Sequence, residues 1–276
     1  MVLYVGMLMP MQVQAANVLV ISNSNAAAVA ADLQANTAGH TYTSLSLGGG
    51  YVPVPADFTG ADVVLLFENG KITATSVAVG DAVHAFQQGG GGVVFGTYVW
   101  QDWGNNTKYA VSNGWGALES VSPLDSDTQG CEYNADSMGT ILDPAHPVMA
   151  GVNVLTENSS RGGTQISAVG TPLALWSTTN FLGTDDPLVA VYEPIGFGRT
   201  VAISLYPTRG TDDAYQLWEN ALAWAAAGPT LAAPGSGPDD DPLCGNLIPV
   251  GGPHTAWVLA IVPLMLLGIW LVRRRV

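Results

Sequence analysis

The sequence predicts an α/β fold, a mostly parallel sheet with helices on both faces. Three observations carry this. Short continuous apolar runs, VLVI after Asn17, DVVLLF from Asp62 and VVF from Val93, have the length and β-branched character of strands buried on both sides. Segments between them repeat apolar residues at helical spacing. The resulting order, β-α-β-β-α-β, uses crossovers long enough to join parallel strands.

The elements follow in order. Residues 17–22 form the first strand. Ser22, Asn23, Ser24 and Asn25 are residue types that cap helix starts, so a helix is expected over 26–36, with Ala26, Val29, Ala30 and Leu33 on one face. TYTSLSL over 41–47 alternates and predicts a second strand. Residues 62–67 are the third, and a helix over about 75–88 aligns Val79, Ala82, Val83 and Phe86. The glycines at 89–92 close that helix and turn the chain into Val93-Val94-Phe95. A phosphate loop needs the reverse order, glycines after a strand and opening a helix, so nucleotide binding is not expected. Residues 101–170, rich in Ser, Asn, Asp and Gly, read as an excursion carrying short elements over the sheet. Strands return at 173–177, 188–192 and 200–205, with Gly196-Phe197-Gly198 as a hairpin turn between the last two. Asp213, with Gln216 three residues on, opens a final helix to about 227 in a capping-box-like pair. Trp218, Ala221, Leu222 and Ala225 should face the core.

Both ends read as export signals. Residues 1–16 hold an apolar run, VLYVGMLM, then Pro10 and the small residues Ala15 and Ala16, which resemble a signal-peptidase site, with cleavage after either alanine. No Lys or Arg precedes the run; the alternative is a first buried strand. Residues 256–272 carry no charge, enough for a helix of roughly 25 Å that just crosses a bilayer core. Arg273, Arg274 and Arg275 follow, which places the C-terminus in the cytoplasm and the body outside. Four segments are therefore expected: a signal peptide at 1–16, a globular domain at 17–227, a Pro/Gly/Asp-rich tether at 228–254, and a membrane helix with its Arg cluster at 255–276.

Composition narrows the partners. The chain has 276 residues, 22 acidic against 8 basic, and a formal net charge of -14. Such a body repels phosphate backbones, so nucleic acid is not an expected partner. Cys131 and Cys244 are too few for a disulfide scaffold; one bridge or two independent thiols both fit. The four histidines and the acids Asp125, Asp127, Glu132 and Asp136 match no metal-ligand spacing, so no metal and no cofactor is expected.

The element order, with DVVLLF after Gly60-Ala61, the glycine-rich entry to Val93-Val94-Phe95-Gly96, the HPVMAGV stretch from His146, GFGRTV from Gly196 and LWENAL from Leu217, resembles the class I glutamine amidotransferase-like fold, of flavodoxin-like layering. It is most similar to the trehalose-utilisation, ThuA-like relatives. The resemblance implies a cysteine nucleophile in the turn after the fourth strand and a His-Pro-Glu after a late strand. This chain has Gly96-Thr97-Tyr98 and Tyr206-Pro207-Thr208 instead. Thr97 or Tyr98 takes the nucleophile position, Tyr206 replaces the histidine and Thr208 the glutamate. Thiolate chemistry needs a base and an orienting carboxylate, so the family's amide hydrolysis is not expected. The tail resembles bacterial C-terminal sorting signals of the CTERM class, which implies a sorting protease acting near Cys244-Gly245 or near Gly251-Gly252; the alternative is a plain single-pass anchor.

In open α/β sheets ligands bind outside the C-terminal ends of the strands. Tyr98, Trp100, Trp103 and Trp115 cluster at and after the fourth strand's end, and with Asp102, Glu119 and His146 they form the candidate ligand site. The leading expectation is an exported, membrane-anchored or surface-sorted binding or scaffolding module without the triad, with a carbohydrate or protein ligand. The alternatives are a carbohydrate-active enzyme or sugar-binding protein using the tryptophan-rich cleft, and a purely structural surface protein.

Overall fold

A computed structural model describes residues 15–69, 75–100, 114–132, 135–158, 161–180, 182–209 and 211–230, with side chains left aside at 127–132 and 162. Its first half keeps the predicted order: β1 (Asn17–Ser22), α1 (Ala26–Asn36), β2 (Thr41–Ser46), β3 (Val63–Leu66), α2 (Ser76–Gln88) and β4 (Gly92–Phe95). Then come β5 (Leu124–Glu132), β6 (Asp136–Ile141), β7 (Thr156–Glu157), β8 (Arg161–Ile166), β9 (Thr171–Thr179), β10 (Asp185–Tyr192), β11 (Thr200–Ile203) and α3 (Ala214–Ala226).

Among the described residues nine strands make one sheet, in the order β2-β1-β3-β4-β11-β10-β9-β6-β7, and β5 pairs with β8 separately. The strands from β2 to β11 are parallel, and those from β11 to β7 are antiparallel. The sheet is therefore mixed rather than mostly parallel. Tight connections decide this: β9 returns as β10 through a turn in which the Asn180 N–H donates to the Thr184 carbonyl at 3.0 Å, too short a link for a parallel crossover.

The strands of β1 bury both faces. Val18 and Val20 join Ala26, Val29, Ala30 and Leu33 of α1 and Leu217, Trp218, Ala221 and Leu222 of α3 in one core. Leu19 and Ile21 join Val79 and Val83 of α2 in the other. Helices thus cover both faces, as the continuous apolar runs require. Glycine matters where α2 meets the 116–121 helical turn: a Cβ on Gly80 would stand 1.8 Å from the Trp115 carbonyl oxygen.

Neither expected helix cap forms. Asn25 precedes α1 at φ 63° and its side chain caps nothing. Nearby polar side chains bind another loop: Ser24 Oγ donates to the Asn69 carbonyl at 2.9 Å, and Asn23 Oδ1 accepts from Asn69 N at 3.2 Å. Asp213 turns from α3 and accepts from the N–H groups of Asn153 and Val154 at 2.7 and 2.9 Å, while the Gln216 side chain donates to Asn220. Both tertiary contacts outcompete the local cap because they tie down loops whose backbone has no ladder partner.

The 101–170 region holds more strand than its polarity predicted. β6 and β7 extend the main sheet, and a buried charge network fastens β8 to it. Arg161 reaches Asp136 at 2.8 Å and Asp186 at 2.6 Å, and donates to Thr178 Oγ1 at 2.8 Å. No helix among the described residues is long and apolar enough to cross a membrane. The expected signal segment up to residue 14 and the expected span at 256–272 lie outside the described residues.

Candidate functional site

Three parallel strands end side by side. The Gly96 N–H donates to the Leu66 carbonyl at 2.8 Å, Glu68 N to Thr97 O at 3.3 Å, and Thr97 N to Leu205 O at 3.1 Å, which locks the turns after β3, β4 and β11 together. Gly96 is required here, because a Cβ would lie 2.9 Å from Phe67 Cβ. The next turn is sharp. Tyr98 sits at φ 71°, a region that L-residues with bulky side chains rarely enter. Asn25 and Asp212 are the other positive-φ residues outside glycine among those described. The three follow β1, follow β4 and precede α3, so the strained backbone concentrates at one end of the sheet, as functional sites often do.

The strand order places a cleft at this end. The chain steps from β1 outward to β2, then returns to put β3 on the other side of β1. At such a switch point the loops diverge and leave a crevice. A cleft of about 430 Å³ opens there, lined by Asn25 after β1, Asn69 after β3, Ala28, Val29 and Asp32 of α1, and Tyr206, Thr208 and Arg209 after β11. Asp32 accepts from the Tyr215 hydroxyl at 2.8 Å; burial and that carboxylate push the Tyr215 phenol up to about 12. Burial also raises Tyr206, against a hydrogen bond with the Asn25 side chain and the Arg209 charge. The Arg209 guanidinium lies over the Tyr206 ring at 5.4 Å, and Tyr206 packs on Phe67 at 5.3 Å and Tyr98 at 6.2 Å.

Beside the cleft lies a residue that the sequence reading passed over. Glu68 is fully buried, and neither carboxylate oxygen has a hydrogen-bond partner among the described residues. Burial alone raises its pKa well above the ordinary value. Even neutral, an unsatisfied buried polar group costs about 1–3 kcal/mol. A single signal was available: an acid directly following a continuous apolar strand, in DVVLLFE.

The expected site residues separate. Of the two nucleophile positions, Tyr98 takes the strained turn, while Thr97 is fully buried behind it. Tyr206 and Thr208 line the cleft. Trp100 and Trp115 do not. Both are 1% exposed, and their indole N–H groups donate to Ser122 Oγ at 2.9 Å and the Val99 carbonyl at 2.8 Å. They belong to the α2-side core, where the apolar gain of burying an indole exceeds that of offering it to solvent. Glu119 accepts from the Trp115 N–H at 2.6 Å. His146 packs against Trp224, the rings tilted and their centroids 5.1 Å apart, near the end of α3, which abuts Gly92 at the start of β4; it therefore lies at the other end of the sheet from the elbow. Asp102, Trp103, Cys244, Gly245, Gly251 and Gly252 lie outside the described residues. A larger, mainly apolar cavity of about 580 Å³, between Phe58, Phe86 and Gly89, Gly90 and Gly91, also opens at the strand-start end, away from the elbow.

No family model and no curated protein matches the chain. Solved structures do. A cytoplasmic protein of Salmonella typhimurium superposes with TM-score 0.58 at 14% identity, over 77% of this chain and 99% of that one. A ThuA-like protein of Parabacteroides merdae does so with TM-score 0.56 at 15% identity, over 80% and 94%. The fold is ThuA-like. Part of the carbohydrate deacetylase Agd3 superposes with TM-score 0.51 at 14% identity, over 77% of this chain but 33% of that enzyme. At such identities the ThuA-like likeness concerns the fold, and the chemistry has to be argued from the cleft.

Proposed function

We propose that this chain is a binding module for carbohydrate, built on a ThuA-like fold whose triad positions hold no thiol or imidazole. The observation that carries it is the cleft at the switch point, lined by planar amides (Asn25, Asn69), a carboxylate (Asp32), hydroxyls (Tyr206, Thr208) and a guanidinium (Arg209). Sugars are bound by such sets, with amide and charged groups on their hydroxyls and an aromatic ring against their C–H face. The fold shared with a carbohydrate deacetylase supports the same substrate class. Catalysis through Glu119 and His146 is not supported, since one carboxylate serves the Trp115 N–H and the other ring sits at the far end.

We further propose that the module works outside the cytoplasm, held through the 228–254 tether by the 256–272 span or re-anchored there by a sorting protease. Ala16 is buried and its carbonyl accepts from Thr41 N at 2.9 Å, so cleavage after Ala15 would leave the folded body intact.

The test is binding by the full-length protein to tri-N-acetylchitotriose, cellotriose and digalacturonate, as acetylated, neutral and acidic probes. Saturable binding to one of them, weakened roughly tenfold or more in Tyr206→Ala through loss of its hydroxyl and of the ring that carries Arg209, is expected. No binding to any of the three, or binding indifferent to Tyr206→Ala, would sink the reading.

A further inference from the structure

We propose that Arg209 is a ligand-contacting, specificity-determining residue of this cleft, and that the sugar it selects carries a carboxylate, as a uronic acid does. The inference rests on the carbohydrate reading above and names the substrate class of the same site.

The fold places the guanidinium before any ligand arrives. Arg209 lines the cleft together with Tyr206 and Thr208. Its N–H donates to the Tyr206 carbonyl at 2.9 Å, which closes a turn over Pro207 and Thr208, and its guanidinium lies over the Tyr206 ring at 5.4 Å. That ring is itself held. It is buried, packs on Phe67 and Tyr98, and its hydroxyl is hydrogen-bonded to the Asn25 side chain. A guanidinium stacked on a fixed aromatic face has less freedom to lose when it binds a ligand. Position sets this arginine apart. Of the three described arginines, Arg161 and Arg199 sit in ion pairs of the fold, and Arg209 is the one that lines the cleft.

The chemistry points to a carboxylate rather than to a phosphate. The planar fork of a guanidinium matches the two oxygens of a carboxylate, and such bonds are stronger than neutral ones. Asp32 lines the same cleft. Its carboxylate opposes a group that brings a second negative charge, and it accepts hydrogen bonds from sugar hydroxyls. A uronic acid offers both features, one carboxylate on a ring of hydroxyls. The chain's net charge of -14 repels an acidic sugar at long range, but salt screens that repulsion beyond about 8 Å, while contact inside the cleft is at hydrogen-bond distance.

The experiment measures, by calorimetry at neutral pH, binding of digalacturonate, its dimethyl ester and cellotriose to full-length wild type, R209Q and R209K. The ester keeps every ring hydroxyl and loses only the charges. Wild type should bind the acid roughly tenfold or more tighter than the ester, the value of a charge-assisted hydrogen bond. R209Q should bring that ratio close to one without weakening the ester. R209K should keep a reduced preference, since an ammonium retains the charge and lacks the fork. A residue that merely supported the cleft would lower acid and ester affinity together and leave their ratio unchanged. If wild type binds the ester or cellotriose as tightly as the acid, or R209Q keeps the wild-type ratio, the role of Arg209 is overturned while the carbohydrate reading stands. If wild type binds none of these probes and no tri-N-acetylchitotriose, both fall. Should R209Q not fold, the wild-type ratio and its reduction in R209K decide.

Discussion

Arg161 is 2% exposed and faces two buried aspartates, Asp136 and Asp186, with its guanidinium 5.4 Å from the Trp176 ring. Burial works against the Asp136 charge, but the hydroxyls of Ser177 and Thr178, the Ser137 N–H and the arginine outweigh it and hold its pKa below the ordinary value. Removing one member of such a network strands the others without a partner. Arg161→Ala should therefore cost about 3–5 kcal/mol in urea unfolding, far more than an exposed ion pair would. The pH dependence has a definite sign. A depressed carboxylate pKa contributes stability that is present above the unfolded value and lost as pH falls through the folded one. The network should thus fail on the acid side. At Glu68 the sign reverses. Its raised pKa contributes stability at acid pH that is lost as pH climbs toward the folded value.

Among the elements, α2 depends most visibly on a single small residue. Its Gly80 meets the backbone of Trp115, which fixes how closely the helix and the 116–121 turn approach and holds the Trp115 indole against Val99. Gly80→Ala would raise helix propensity in isolation by about 1 kcal/mol. In place it forces a methyl into a carbonyl oxygen, and overpacking of this kind typically costs roughly 1–3 kcal/mol. The expected outcome is a net loss of thermal stability together with a change in tryptophan fluorescence. A stability equal to or above wild type would show that the segment shifts freely. α1 and α3 illustrate the same priority of packing over local rule. Both begin without a side-chain cap, and both bury a full apolar face.

For the molecule as a whole, the described domain presents its cleft at one end of the sheet, while its last described residues, through Thr230, pair with Ile195 beyond β10. If the proposed anchoring is right, intact-mass measurement on protein from native membranes should find either a chain retaining Arg273, Arg274 and Arg275 or one ending near Cys244-Gly245 or Gly251-Gly252. The first outcome means a plain anchor and the second a sorted one; a soluble full-length chain with residues 1–15 still attached would overturn export. Much of this architecture was legible in the residues. Continuous apolar runs can only be strands covered on both sides, so β1, β3, β4 and the helices between them followed from composition and period. The triad's absence followed from residue identity alone. Other features were decided by contacts distant in sequence. β6 and β8, poor in apolar residues, are strands because Arg161 and its aspartates bind them to neighbours. Trp100 and Trp115 look like a ligand platform in sequence, and burial in the α2-side core makes them structure. Asn25, Asp32, Asn69 and Arg209 form one cleft only because β3 is laid beside β1. Local pattern determined the apolar strands and the helices, since period and side-chain shape act over a few residues. The tertiary structure decided the pairing directions, the cleft and the isolation of Glu68, because burial and hydrogen-bond satisfaction depend on which distant groups arrive together.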